Sequence, residues 1–332
     1  MAPEGLFNPI SFNFPDGVNS TQLIHSVVKI SPETRLHLNV FETLEEKKAW
    51  TRNVVEADGT ETWYRGYLKE DLEKCNDPVF SQQMVNFEFC RLVKEGVHFP
   101  AETGLNGVGT GALISKDGYI LTNYHLATAS IEYAKRIKNR SILDPVLCPK
   151  LTVEIVDRIE PSGKIHYRKV DQVWLVDQVD ETEAFVKRPS GDWGLGLDIA
   201  LLKIDIETPH FLKISSLEPL PGSKVWMLGF PMRTSRPEKS LDSLEYTDSD
   251  GSLRVSSGAI LEKNTLYSFV TDVDGSAGSS GSPTVDANGN LLGLFSTVLG
   301  DGRSNIIDYS GVHRQHVTAK SAADYFDLER IL

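Results

Sequence analysis

Cysteine is scarce in this chain, with three residues in 332, at positions 75, 90 and 148. Cys75, Cys90 and Cys148 are odd in number, scattered and in no metal-ligand spacing. Neither a disulfide framework nor a zinc site is therefore expected. None of them sits in a glycine elbow, which argues against a cysteine nucleophile. No apolar run reaches the roughly 18 residues that a membrane-spanning helix needs. Residues 1–30 lack both the basic start and the apolar stretch of a secretory leader, so the expected location is the cytoplasm. Positive charge is also short: 34 Lys and Arg stand against 46 Asp and Glu, a net charge of −12. That balance disfavours nucleic acid and anionic membrane as partners and favours cationic peptides. No internal repeat is present.

What the chain does have is concentrated in its last two thirds. The run Asp272-Val273-Asp274-Gly275-Ser276-Ala277-Gly278-Ser279-Ser280-Gly281-Ser282-Pro283 contains a Gly-x-Ser-Gly-Ser-Pro pattern around Ser280. Glycine at 278 can bring its N–H beside that of Ser280, giving two donors for an oxyanion. Glycine at 281 lets the chain turn away without blocking an attacked carbonyl. Composition alone would fit a flexible Gly/Ser linker. The apolar run Leu291-Leu292-Gly293-Leu294-Phe295 that follows reads instead as a buried strand.

A serine hydroxyl is a weak nucleophile at neutral pH and needs a base, and the base needs an orienting group. Gly107 to His125 reads as strand, Asp117-Gly118 turn, strand, and a histidine just past the strand end. That position separates His125 from the other seven histidines. Asp198 heads the apolar run Ile199-Ala200-Leu201-Leu202, where an acid is costly to bury unless it is hydrogen-bonded, as a histidine N–H would do. Asp192 is the substitute, also upstream of the same strand.

The chain order His125, Asp198, Ser280 is that of chymotrypsin-type enzymes. With Thr122-Asn123-Tyr124-His125, Val225–Pro231, Val255–Ile260 and the Ser280 motif in this order, the chain from about Gly107 onward resembles a chymotrypsin-fold (PA clan) serine peptidase of bacterial type. It is similar to the protease domains of the HtrA and glutamyl-endopeptidase groups, and to the dipeptidyl-peptidase branch through Gly229–Arg236. The resemblance implies a mainly β fold of two six-stranded antiparallel β-barrels in a peptidase domain at 85–332, ending in a helix near Lys320–Leu332; residues 1–84, which the resemblance does not cover, read as a small α/β accessory segment. It implies a triad of His125, Asp198 and Ser280, an oxyanion hole of the Gly278 and Ser280 N–H groups, no cofactor and no metal.

Departures narrow the reading. Only 82 residues separate Asp198 from Ser280, too few for the helical cap of the dipeptidyl peptidases, so an endopeptidase is expected. The 52 residues after Ser280 leave no room within this chain for a PDZ domain. The 73 residues from His125 to Asp198 hold a candidate hairpin, Leu151–Val156 and Tyr167–Val176, read as an enlarged loop. Ser279 stands where the pancreatic enzymes carry an acid that pairs with a cut N-terminus, so no such trimming is implied.

Asp274 lies six residues before Ser280, the offset at which trypsin-like enzymes place the acid that binds Arg or Lys; as a turn residue it would instead be solvated. Phe295, Ser296 and Val298 are the other candidates for the pocket wall. Phe295 replaces the histidine of glutamyl endopeptidases, and an apolar site for aliphatic side chains is the alternative to a basic preference. In the N-terminal region, Thr34–Phe41 and Thr62–Tyr67 alternate as strands, and Glu42–Val54 has helix-like character. Residues 78–95 read either as a helix or as ending in a first barrel strand, because Phe87–Val93 alternates with period two. The expected partner is a peptide or protein substrate, and the N-terminal segment is a candidate contact for a regulatory protein. The alternative function is a peptide-binding or latent regulatory module of the same fold without constitutive turnover.

Overall fold

The Asp117-Gly118 turn sets the first hairpin. Gly118 has φ +92, and a Cβ there would fall 2.4 Å from the Ile204 carbonyl oxygen, so only glycine fits. Ser115 Oγ donates to Asp117 Oδ1 at 2.6 Å and accepts the Tyr119 N–H at 3.0 Å, closing the turn. The strands Gly109–Leu113 and Tyr119–Thr122 then pair through Ala112 with Leu121 and Leu113 with Ile120.

The computed structural model describes residues 14, 17–50, 53–55, 61–82, 84–106, 108–127, 145–148, 151–160, 164–170, 172–179, 185–187, 193–231, 253–263, 267–275, 278–299 and 313–332. They fall into two compact units: one of residues 1–32, 108–128 and 134–332, the other of residues 33–107 and 129–133.

In the first unit, Tyr119–Thr122 also pairs with Ala200–Ile204, which pairs in turn with Val173–Gln178. On the other side Gly109–Ala112 pairs with residues 27–30 of the strand Val27–Phe41. Residues 28–32 pair further with Leu151–Ile155, the first arm of the hairpin Leu151–Ile159 and Ile165–Val170. This antiparallel sheet is a curled half-barrel. Six strands then close a full barrel in the order Lys224–Gly229, Arg254–Lys263, Ser268–Thr271, His313–Thr318, Leu291–Leu299 and Pro283–Val285. The architecture is mainly β and chymotrypsin-like, as expected, with one barrel closed and the other curled but open.

One apolar cluster holds Ala112, Leu121 and Leu201 of the half-barrel together with Leu228, Phe230 and Leu294 of the closed barrel, all fully buried. Each of these leucine and phenylalanine side chains contributes about 1.5–3 kcal/mol by leaving water. A second cluster, with Met227, Phe269 and Phe295, fills the closed barrel. The expected closing helix is Ala319–Phe326; Thr318 caps it by accepting the Ser321 N–H, and Ala319, Ala322 and Phe326 face inward.

The expected loop hairpin is different in kind. Leu151–Ile159 and Ile165–Val170 are wall strands of the half-barrel, and the run read as Tyr167–Val176 divides into two strands, the second being Val173–Gln178.

In the second unit, residues 35–41 pair in parallel with Glu61–Leu68 and, from 33 to 38, antiparallel with Ala101–Asn106. Met84–Lys94 is a helix. Its buried positions Asn86, Phe89 and Cys90 follow helical spacing, whereas Phe87 is 55% exposed, which is why the period-two reading of 87–93 fails. The Phe89 ring stacks on Tyr67 with centroids 3.6 Å apart. Cys75 and Cys90 form a disulfide across 15 residues, correcting the expectation that the cysteines are unpaired; Cys148 is free and buried.

Candidate active site

The strand Tyr119–Thr122 delivers the chain into a single helical turn, Tyr124–Ala127, which carries His125. The neighbouring strand Ala200–Ile204 pairs Ala200 with Thr122, so Asp198 arrives just before that strand and level with the turn. Asn123 is buried and its Nδ2 donates to the Asp198 carbonyl oxygen at 2.9 Å, locking the two segments together.

Asp198 is fully buried, and three donors satisfy its carboxylate. His125 donates its backbone N–H to Oδ1 at 3.2 Å and its Nδ1 bonds Oδ2 at 2.9 Å. Ser296 Oγ donates to the same Oδ2. A buried carboxylate without such partners would be costly. With Nδ1 as donor, the imidazole keeps Nε2 as its acceptor, the tautomer that a general base requires. Burial on its own would push the His125 pKa down; the charge of Asp198 and its hydrogen bond outweigh burial, so the pKa is raised above the ordinary histidine value. The His125 side chain is 33% exposed, leaving its far edge open.

The Gly278–Ser282 segment is fastened to the same hairpin. Thr110 N–H donates to the Ser280 carbonyl at 2.7 Å, and Thr110 Oγ1 donates to the Gly278 carbonyl at 3.1 Å. Gly278 and Gly281 have φ of +92 and +78. A Cβ on Gly281 would lie 1.9 Å from the Thr110 carbonyl oxygen, so this turn can approach the hairpin only as glycine. Ser279 and Ser282 are fully buried, and Ser280 is the partly exposed serine of the three. Among the described residues no hydrogen bond joins Ser280 Oγ to the imidazole.

The structure therefore brings His125 and Asp198 together and lays the Ser280 loop on the strands that carry them. Asp192 lies outside the described residues. Asp274 is buried, 8% exposed, and lines a small pocket beside Ser279 with Met227, Gly229, Pro231, Arg254 and Ser256. Its N–H donates to Ser256 Oγ at 2.6 Å. The other expected wall residues are placed elsewhere. Phe295 is buried in the closed-barrel core, edge-on to His316 at 5.6 Å. Ser296 serves Asp198 from a break in the strand pairing, where the register slips between Phe295 and Thr297. The Val298 side chain lies outside what the structure describes. Sequence reasoning missed Arg254 and the Met227–Pro231 segment as pocket wall, although the resemblance had drawn attention to both strands for another reason.

A family model described as a trypsin-like peptidase domain matches residues 109–294. Among curated proteins, a "Probable periplasmic serine endoprotease DegP-like" of Marinomonas sp. is 23% identical over 200 residues, covering 60% of this chain and 31% of that protein. A protein of the same description from Pseudomonas putida is 25% identical over 193 residues, covering 58% of this chain and 29% of its own length. The chain thus spans about a third of the length of these relatives. Among solved structures, "HtrA-type protease AlgW with decapeptide" has a TM-score of 0.46 at 16% identity, covering 92% of this chain and 65% of that one. The relatives are periplasmic by name, which overturns the expected cytoplasmic location. The Cys75–Cys90 disulfide agrees with the correction, since such bonds persist in oxidising compartments.

Proposed function

Because the chain belongs to the family of trypsin-like peptidase domains, we propose that it is a serine endopeptidase in which Ser280 attacks the scissile carbonyl of a peptide or protein. His125 takes the serine proton on Nε2 and returns it to the leaving amine. Asp198 holds Nδ1–H and stabilises the imidazolium that forms. The N–H groups of Gly278 and Ser280 bind the oxyanion, and water hydrolyses the acyl-enzyme with His125 again as base. The observation that carries this reading is the buried Asp198 bonded to His125 Nδ1 on the hairpin that also receives the Ser280 loop. The second unit contributes none of these groups, and we read it as an accessory segment of the peptidase.

A fluorophosphonate probe followed by peptide mapping tests the assignment. The expected product is a single adduct on Ser280. An adduct on another serine moves the nucleophile, and no adduct with peptide binding retained favours a module that binds without turnover.

The pocket bears on specificity. An acid alone beneath the nucleophile would seek a substrate cation, because a buried unpaired charge is costly. Here Arg254 lines the same pocket as Asp274, so charge of the opposite sign is already present and the pocket has little room. Cleavage is therefore expected after small uncharged side chains. Asp274→Ser should change turnover of Arg or Lys substrates by less than about tenfold, against the two to three orders of magnitude expected for loss of a sole charge partner. Cleavage profiling with a mixed peptide library decides it, and a basic preference abolished by Asp274→Ser would refute this reading.

A further inference from the structure

Thr110 holds the Ser280 loop at two points. It is fully buried in the strand Gly109–Leu113, fifteen residues before His125, and no catalytic motif includes it. Its N–H donates to the Ser280 carbonyl at 2.7 Å. Its hydroxyl donates to the Gly278 carbonyl at 3.1 Å and accepts the Phe230 N–H at 3.2 Å. A hydroxyl has one proton, so with a backbone N–H filling a lone pair that proton is committed to Gly278. Thr110 is itself held from behind, where Thr122 Oγ1 donates to its carbonyl at 2.7 Å.

Gly278-Ser279-Ser280 is the segment that carries both candidate oxyanion donors. One residue on the opposite barrel therefore grips its first and last carbonyls. Gly278, with φ +92, has no side chain to restrict it and rotates freely unless its peptide is tied. The Gly278 N–H lies on the preceding peptide, so with the 278–279 plane tied to Thr110 its place relative to the Ser280 N–H is set by the torsions at Gly278 itself, and a swing in ψ there has to carry the Gly278 carbonyl away from the Thr110 hydroxyl or be offset at Ser279. We propose that Thr110 is a positioning residue for the oxyanion site, its hydroxyl holding the Gly278 carbonyl and thereby restraining the ψ of Gly278 that sets its N–H relative to that of Ser280. The proposal rests on Ser280 being the nucleophile.

The test uses the full chain and the fluorophosphonate probe, whose phosphonylation also builds charge on an oxygen facing these donors. Saturation kinetics separate probe affinity from the rate of covalent reaction. Thr110→Val should slow the covalent step by about 10- to 100-fold, the scale of a misplaced oxyanion donor, with affinity within about threefold. Thr110→Ser, which keeps the hydroxyl, should restore the rate to within about threefold of the parent. A role confined to packing would lower the denaturation midpoint of Thr110→Val and leave the covalent rate of the folded fraction unchanged, which would overturn the proposal. So would a Thr110→Ser variant as slow as Thr110→Val. Should Thr110→Val not fold, Thr110→Ala carries the same thresholds. Absence of any adduct on the parent chain overturns the nucleophile reading and this proposal with it, whereas an adduct on Ser280 with indifferent Thr110 variants overturns the positioning role alone.

Discussion

Ser280→Ala is expected to remove essentially all peptide hydrolysis, a loss on the order of 10⁴- to 10⁶-fold, with the fold unchanged. In the proposed mechanism the hydroxyl forms the covalent bond, so no neighbouring group replaces it. Its loss costs little structure, because the loop is held through the Ser280 carbonyl and the Gly278 carbonyl, both of which alanine leaves in place. The adjacent serines are the controls for register. Ser279 and Ser282 are fully buried, and a hydroxyl with no route to solvent has no route to a scissile bond. Ser279→Ala and Ser282→Ala should retain probe labelling, whatever they cost in stability. Labelling abolished by either of them and preserved in Ser280→Ala would place the nucleophile elsewhere. The readouts are release of fluorescence from a labelled unfolded protein and adduct formation, with circular dichroism to show that the variants are folded.

Where the proposed chemistry constrains residue type, the local geometry was legible from the chain. A nucleophile elbow needs glycines, and Gly278 and Gly281 do adopt positive φ. A base at a strand end and an acid at the head of an apolar strand have few tolerable neighbours other than each other, and His125 and Asp198 are bonded. The pocket was not legible for the opposite reason. Its wall is assembled from Met227 and Gly229 on one strand, Arg254 and Ser256 on the next and Asp274 in a following loop, and no local pattern records which strand pairs with which. A bulge also misled: Phe295 and Ser296 were expected on one wall, yet the pairing register slips between Phe295 and Thr297, and Phe295 enters the barrel core while Ser296 reaches Asp198. In the second unit, period two at Phe87–Val93 imitated a strand within a helix. The Cys75–Cys90 bond depends on a tertiary approach that fifteen residues of sequence do not reveal.

Asp198→Asn should cost about 10⁴ in turnover while leaving packing almost untouched, since the amide is nearly the same size as the carboxylate. The loss follows from the bonds already in place. Oδ1 accepts the His125 backbone N–H, which favours keeping the amide oxygen there. The NH₂ group then faces His125 Nδ1 and Ser296 Oγ, where the carboxylate offered an acceptor. A donor opposite Nδ1 forces Nδ1 to accept, which moves the imidazole proton to Nε2. In the proposed mechanism Nε2 is the nitrogen that must be free to take the serine proton. The imidazolium also loses its compensating charge. That second effect has a pH signature. In the parent, Asp198 outweighs burial and raises the His125 pKa, so kcat/KM should climb with pH through a midpoint above the ordinary histidine value of about 6.5. In Asp198→Asn burial is left unopposed, and the midpoint should move to lower pH. Stability follows the same linkage. A group whose folded pKa is raised contributes stability that is fully present below its unfolded pKa and is lost as pH rises through the folded value. The pH-dependent part of the stability difference between parent and variant should therefore be largest below about pH 6.5 and shrink above the raised midpoint. Retention of more than about a tenth of parental turnover, or an acid limb that does not move, would show that Asp198 is not what orients and charges His125.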